Sequence, residues 1–187
     1  MRSILLDLSR HSELRVLAGM ASALHAVATP MGIEYFLMGA AARDLMVRYA
    51  HGIEGATATE DADFAVMVGD WGAYEALRTG LLGRGDFVAG TGSAQHRLIH
   101  LGMLLDIVPF GGIEGPDRTF TWPPDNAEIF DCFGVSEALA ASVRVLLPDG
   151  VNLKVATIPA LTVLKISPGR TGSAPIPDAM PRISSFL

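Results

Sequence analysis

The run from Met103 to Phe110, Met-Leu-Leu-Asp-Ile-Val-Pro-Phe, is apolar at odd and even positions alike, with Asp106 as its one charge. A strand that is apolar on both faces belongs inside a sheet covered on both sides, which selects layered folds of helices against strands. An ionised carboxylate in such a strand needs a partner, because burying an isolated charge is far costlier than burying a paired one. Two kinds of partner are open to it: a bound cation shared with other acids, or a salt bridge, for which Arg97 is a candidate.

Around that strand the chain alternates helical and extended patterns. From Ser12 to Ala28 the apolar residues recur at three and four, which predicts a helix capped by Ser12 or Ser9 and ended by Pro30 and Gly32. Tyr35 to Met38 reads as a short buried strand running into Gly39, followed by a helix from Ala40 to about Ala50 and a loop from His51 to Glu60. A strand over Ala62 to Val68 leads to Asp70, placed to cap a helix bearing Trp71, Tyr74, Leu77, Leu81 and Leu82. Short strands follow at Asp86 to Ala89 and Gln95 to Leu101. The stretch Gly111 to Asp125, rich in Gly and Pro, is expected to wrap the surface with Phe120 and Trp122 as anchors. A short helix over Val135 to Ala141, a hairpin of Val143 to Leu147 and Val151 to Ala156 around Pro148-Asp149-Gly150, and a helix over Ile158 to Ile166 complete the pattern. The sum is an α/β (α+β) fold, a mixed β-sheet flanked by helices, in one domain over residues 1–166. Beyond it, residues 167–187 form an irregular tail rich in Pro, Gly and Ser with no apolar period.

Composition narrows the function classes. Fourteen basic against 20 acidic residues give a net charge of −6, which argues against a broadly basic nucleic-acid surface but leaves a nucleic-acid substrate open. No apolar run is long enough to span a bilayer, and Asp7 and Arg10 end the Ile4-Leu5-Leu6 run short of a signal-peptide core, so a cytoplasmic protein with no membrane partner is expected. The single cysteine, Cys132, excludes an internal disulfide and reads as a small core residue. His96 and His100 stand four apart on a predicted strand, a spacing that does not gather them for zinc.

Two local features point to chemistry. The strand ending in Gly39, with Ala40, Ala41, Ala42 and Arg43 opening a helix, makes a turn that a phosphate can approach closely, since glycine has no side chain and the free N–H groups of a helix start point outward. Arg43 either reinforces that anion site or pairs with a carboxylate such as Asp44. Asp61 and Asp63 then stand two apart at the start of a strand, where alternate side chains share one face. Two like charges side by side are costly unless a cation lies between them or water bathes them, and Mg²⁺ is the natural occupant of an all-oxygen site.

In order and spacing, Gly39-Ala40, Asp61-Ala62-Asp63 and Asp106 within Leu-Leu-Asp-Ile-Val-Pro-Phe resemble the nucleotidyltransferase superfamily, which carries a Gly-Gly or Gly-Ser turn, an Asp-x-Asp pair and a later third Asp. The nearer resemblance is to the AbiEii/AbiGii toxin-type nucleotidyltransferases. It is supported by Ala42-Arg43-Asp44-Leu45, Asp61-Ala62-Asp63-Phe64-Ala65-Val66, Trp122-Pro123-Pro124 and the segment Ile158 to Lys165, over residues 10–166. The resemblance implies a nucleotidyltransferase-like sheet and transfer of a nucleoside monophosphate from a nucleoside triphosphate to an acceptor hydroxyl. It implies a tRNA as a candidate acceptor and a cognate antitoxin as a candidate protein partner, as in toxin–antitoxin systems. In that scheme the triphosphate sits on the Gly39 and Ala40 turn with Arg43 and Lys165 near its phosphates. Asp61, Asp63 and Asp106 are the catalytic and metal-binding acids, holding two Mg²⁺ ions about 3.5–4 Å apart, with Asp106 bridging the second ion or taking the acceptor's proton.

Three departures qualify what the resemblance implies. Ala40 lacks the hydroxyl a serine would offer a phosphate, and Glu60 adds a negative charge where relatives often carry Arg or Lys. Relatives also continue past the Lys165 position with a polar helix, whereas this chain continues with Ser167-Pro168-Gly169-Arg170, as expected of a truncated or frameshifted C-terminus. Two further readings therefore stand beside the first: a catalytically impaired binding or regulatory protein of the same fold, and a transferase acting on a small molecule of the antibiotic type.

Overall fold

The computed structural model describes residues 4–53, 61–90, 96–123, 126 and 129–166. Glu60, Gln95, Pro124, Asp125, most of the expected His51–Glu60 loop and the tail from Ser167 onward lie outside the described residues.

The strands expected from the sequence, joined by an unexpected one at Ile4–Asp7 (β1), assemble into one mixed sheet of eight, in the order β1-β9-β10-β2-β3-β6-β5-β4. At its centre are β2 (Glu34–Met38), β3 (Asp61–Val68) and β6 (Met103–Gly111). β3 runs antiparallel to β2 and parallel to β6. The two-sided apolar pattern has the predicted consequence: Leu105 to Phe110 are all buried, as are Ala62 to Val66 beside them. The outer positions are filled by β5 (Arg97–His100) and the two-residue β4 (Val88–Ala89) on one side. On the other lie β10 (Asn152–Val155), β9 (Val143–Leu146) and β1 (Ile4–Asp7).

Two helices pack on each other to cover the sheet. α1 (Arg15–Ala28) buries Leu17, Ala18, Met20, Ala21, Leu24 and Ala28, the stripe its spacing announces. α3 (Trp71–Leu82) starts as expected, with Asp70 Oδ1 accepting from the Ala73 N–H at 2.8 Å, and its Tyr74 hydroxyl donates to the Ile107 carbonyl at 3.1 Å. Where the helices meet, a Cβ on Gly80 would come within 2.6 Å of Val27 Cγ1, so the contact distance requires glycine. The caps expected for α1 are not made. A 3-10 turn over Ser12–Leu14 precedes it, Leu14 takes the N-cap position without a side-chain bond, and Ser9 instead gives its N–H to Asp7 Oδ1. The stop is as expected, with Gly32 left-handed at φ 68°.

The remaining helices differ more from the apolar pattern. α2 (Gly39–Asp44) continues as a wider π turn over Leu45–Tyr49, a change of hydrogen-bond register that spacing at three and four does not encode. α4 (Val135–Ala140) and α5 (Ile158–Ile166) fall where expected and pack on each other. The stretch expected to wrap the surface is more ordered than that: β7 (Thr119–Thr121) pairs with β8 (Ile129–Asp131). Its anchors behave as expected, for Phe120 and Trp122 are buried and lie 5.5 and 5.4 Å from the Trp71 ring. Cys132 is fully buried, and burial pushes its thiol up to about 12, which suits a core residue and not a nucleophile.

The turn joining β5 to β6 is made by Leu101 and Gly102, with φ 49° and 85°. Positive φ at both central residues is the type I′ requirement, which Asn-Gly meets and a leucine meets only with strain. Leu101 is 77% exposed, so no packing offsets that strain. Leu101→Asn is expected to stabilise the chain by roughly 0.5–1 kcal/mol, read as a higher urea midpoint at unchanged slope.

Candidate functional site

Pairing of β3 with β6 sets the site. The register places Asp63 opposite Asp106 and Asp61 opposite Leu104, so by alternation the three carboxylates issue from the same face of adjacent strands. On the far side of β6, Arg97 of β5 stands opposite Asp106, and on the near side Met38, the last residue of β2, stands opposite Asp63. Gly39 follows Met38 directly and opens α2.

Asp63 is the most unusual of the acids. It is 1% exposed, and both its carboxylate oxygens are buried without a hydrogen-bond donor among the described residues. Burial, with the charges of Asp106 and Asp61 beside it, pushes its carboxyl up to about 8, against a weaker opposing pull from Arg97. Gly39, left-handed at φ 67°, makes room for it: a Cβ there would collide with Asp63 Oδ2. The glycine expected to admit a phosphate is thus required first by a carboxylate, and both Gly39 and Ala40 are buried. Gly39→Ala is expected to lose roughly 2–4 kcal/mol from the clash and the left-handed backbone together. In an Asp63→Ala background the carboxylate is gone, and the same change is expected to cost only about 1–2 kcal/mol. A double-mutant cycle by chemical unfolding measures the difference; equal costs in both backgrounds would remove Asp63 as the reason for the glycine.

Asp106 takes the salt bridge. Arg97 Nε donates to its Oδ1 at 2.7 Å and Nη2 to its Oδ2 at 2.6 Å, a two-pronged fork on a carboxylate that is 1% exposed. Asp61 is half-buried at the strand start and completes the negative field around Asp63. Arg43 makes the second of its expected choices, giving Nε and Nη2 to Asp44 Oδ1 at 3.0 and 2.8 Å. Lys165 lies exposed in the last turn of α5, a helix that packs against α2. Among the described residues no three His, Cys, Asp or Glu side chains are drawn together as a metal cage. His100 is engaged away from the acids, stacked on Phe87 at 4.6 Å and hydrogen-bonded through Nδ1 to the Asp86 carbonyl at 2.9 Å.

Sequence reasoning named Arg97 as Asp106's alternative partner but gave it no place in the site. The signal available was the alternation of β5, which puts Arg97 in register with Asp106 once β5 and β6 are read as a hairpin about Leu101-Gly102. A cavity of about 570 Å³ lies between the start of α1, the π turn and the β5–β6 turn, lined by Leu17, Ala41, Arg48, Tyr49, Leu101 and Met103. None of the three acids lines it.

No family model matches this chain. No curated protein matches it either. Among solved structures it is similar to the antibiotic-resistance factor ANT(2'')-Ia, whose solution structure is described as revealing substrate-regulated conformation dynamics. The two are 13% identical with a TM-score of 0.40, over 81% of this chain and 74% of that one. An overlap that loose leaves the argument to the chain's own residues. Among those described, no helix is long and apolar enough to cross a membrane.

Proposed function

We propose that this chain is a nucleotidyltransferase that moves a nucleoside monophosphate from a Mg²⁺-bound nucleoside triphosphate to an acceptor hydroxyl. The observation that carries the reading is Asp63, a buried carboxylate whose two oxygens lack hydrogen-bond donors among the described residues, set between two further acids and against a left-handed glycine where a Cβ would collide with it. A folded protein tolerates such a group at a functional site and rarely elsewhere.

The residues fit a hard divalent ion. All donors are carboxylate oxygens, and the unsatisfied acceptors of Asp63 are what such an ion would coordinate, with half-buried Asp61 beside it. Bound there, Mg²⁺ would neutralise triphosphate charge and polarise the phosphorus under attack. The acceptor oxygen forms its bond to the α-phosphorus as the bond to the bridging oxygen breaks, and pyrophosphate leaves with that electron pair. The acceptor's proton passes to Asp106, whose carboxylate has about four acceptor sites and gives two of them to Arg97. Gly39 and Ala40, with Lys165 on the neighbouring helix, are the groups for the phosphates, and Arg43 would join them by leaving Asp44. A tRNA is the first acceptor to test and an antibiotic-type small molecule the second. A small antitoxin-like protein is the partner this reading predicts.

One observation favours a different reading. The Arg97 fork on Asp106 leaves that acid less open to a metal ion than the resemblance implies, as suits a nucleotide-binding protein of the same fold that does not turn over. Incubation with each labelled triphosphate, Mg²⁺ and total tRNA is expected to label RNA in wild type and not in Asp63→Ala. Calorimetric binding of triphosphate and Mg²⁺ without transfer to RNA or to an antibiotic-type small molecule would favour the binding protein. Neither transfer nor binding would overturn both.

A further inference from the structure

We propose that Arg97 stands in for a second divalent ion: by holding Asp106, its guanidinium limits the acidic site to one metal ion, on Asp61 and Asp63. The inference rests on the metal-site reading above and departs from the two ions that the resemblance implies.

Two observations and the chemistry of guanidinium carry it. The fork engages both oxygens of Asp106 at 2.7 and 2.6 Å, so a second ion coordinated by that carboxylate would lie against a fixed positive charge. Guanidinium cannot shed its proton to make way, and it prefers the planar, bidentate geometry it already has. The placement is built into the sheet: Arg97 and Asp106 are directly paired residues of β5 and β6.

The charges agree with the geometry. Among the described residues Asp61, Asp63 and Asp106 bring three negative charges to the bound site, and Arg97 with one divalent ion brings three positive. A second divalent ion would leave the free site carrying two positive charges around carboxylates that are 1% exposed at Asp63 and Asp106. In this arrangement Arg97 is a positioning residue. It keeps Asp106 oriented and out of the metal's coordination sphere.

The test counts ions and needs no turnover. Mn²⁺ alone is titrated into the full chain, and free ion is followed by electron paramagnetic resonance. Wild type is expected to bind one Mn²⁺, Asp61→Asn to bind it at least tenfold more weakly, and Asp106→Asn to bind it with a clearly smaller loss than Asp61→Asn. Arg97→Gln, if its melting transition shows it folded, is expected to gain a second ion. Two ions in wild type, or a loss in Asp106→Asn as large as in Asp61→Asn, overturns the role given to Arg97 while leaving the metal site standing. No ion in wild type overturns the metal site and this inference together.

Discussion

Asp63→Asn is expected to unfold at a higher denaturant concentration than wild type at pH 8 without divalent ions, and to lose nucleotide transfer altogether. The sign follows from the carboxyl's shift. In the folded chain it is pushed up to about 8 from an ordinary 3.8, chiefly by burial and then by Asp106 and Asp61. Between those two values the folded state holds a proton that the unfolded state releases, so wild-type stability falls as pH rises, by at most about 1.4 kcal/mol per pH unit. Asparagine has the shape of aspartate but nothing to titrate, and its own buried donors offset part of the gain. The variant's advantage is therefore expected to be roughly 2–3 kcal/mol at pH 8 and to be mostly gone by pH 4, close to the 3.8 at which the unfolded state also takes up the proton. Urea melts at pH 4, 6 and 8 in a chelator measure it. Added Mg²⁺ should narrow the gap at pH 8 by stabilising wild type alone. Parallel stability curves for the two proteins would show that Asp63 is solvated and would remove the main support for the site.

Arg97→Met is expected to act in the opposite direction. It leaves the Asp106 carboxylate, 1% exposed, with no fork and with Asp63 beside it. Breaking one side of a buried pair typically costs about 3–5 kcal/mol, whereas replacing both partners by apolar groups of similar size is often neutral. The double change Arg97→Met with Asp106→Leu should therefore recover most of the stability lost by Arg97→Met alone. Chemical unfolding of the two singles and the double gives the coupling directly. A loss under about 1 kcal/mol for Arg97→Met would place the pair among exposed salt bridges, which contribute little.

How much of this was legible beforehand depends on the element. β6 was read correctly because an apolar run with one acid admits few environments, and α1 and α3 because their stripes are unambiguous. β1, β7 and β8 escaped: Ile4–Asp7, Thr119–Thr121 and Ile129–Asp131 are too short for alternation to show, and each becomes a strand only by pairing, β1 with β9 and β7 with β8. The caps of α1 went astray because two serines fit the pattern and neither reaches an N–H of the helix start. Within the site, the register bringing Asp61, Asp63 and Asp106 to one face follows from alternation once β3 and β6 are neighbours, and that adjacency was inferred from the motif. The Gly39 contact was not legible at all. A glycine after a strand signals close approach but does not say by what, and here it is the chain's own carboxylate. Which partner Asp106 would choose stayed open in the sequence, because an arginine nearby and two acids nearby are both present.

The parallel pairing of β3 with β6 also fixes when the site can exist. Asp63 and Asp106 are separated along the chain by α3, β4 and β5, and a parallel pair cannot close through a tight turn. The intervening elements have to be laid down first, so this contact belongs to the slow, non-local part of folding. No fragment ending before β6 and no early hairpin intermediate holds the acids together. Ion capture would follow closure of the central sheet, and the moment of Mn²⁺ uptake during refolding times the arrival of β6 beside β3.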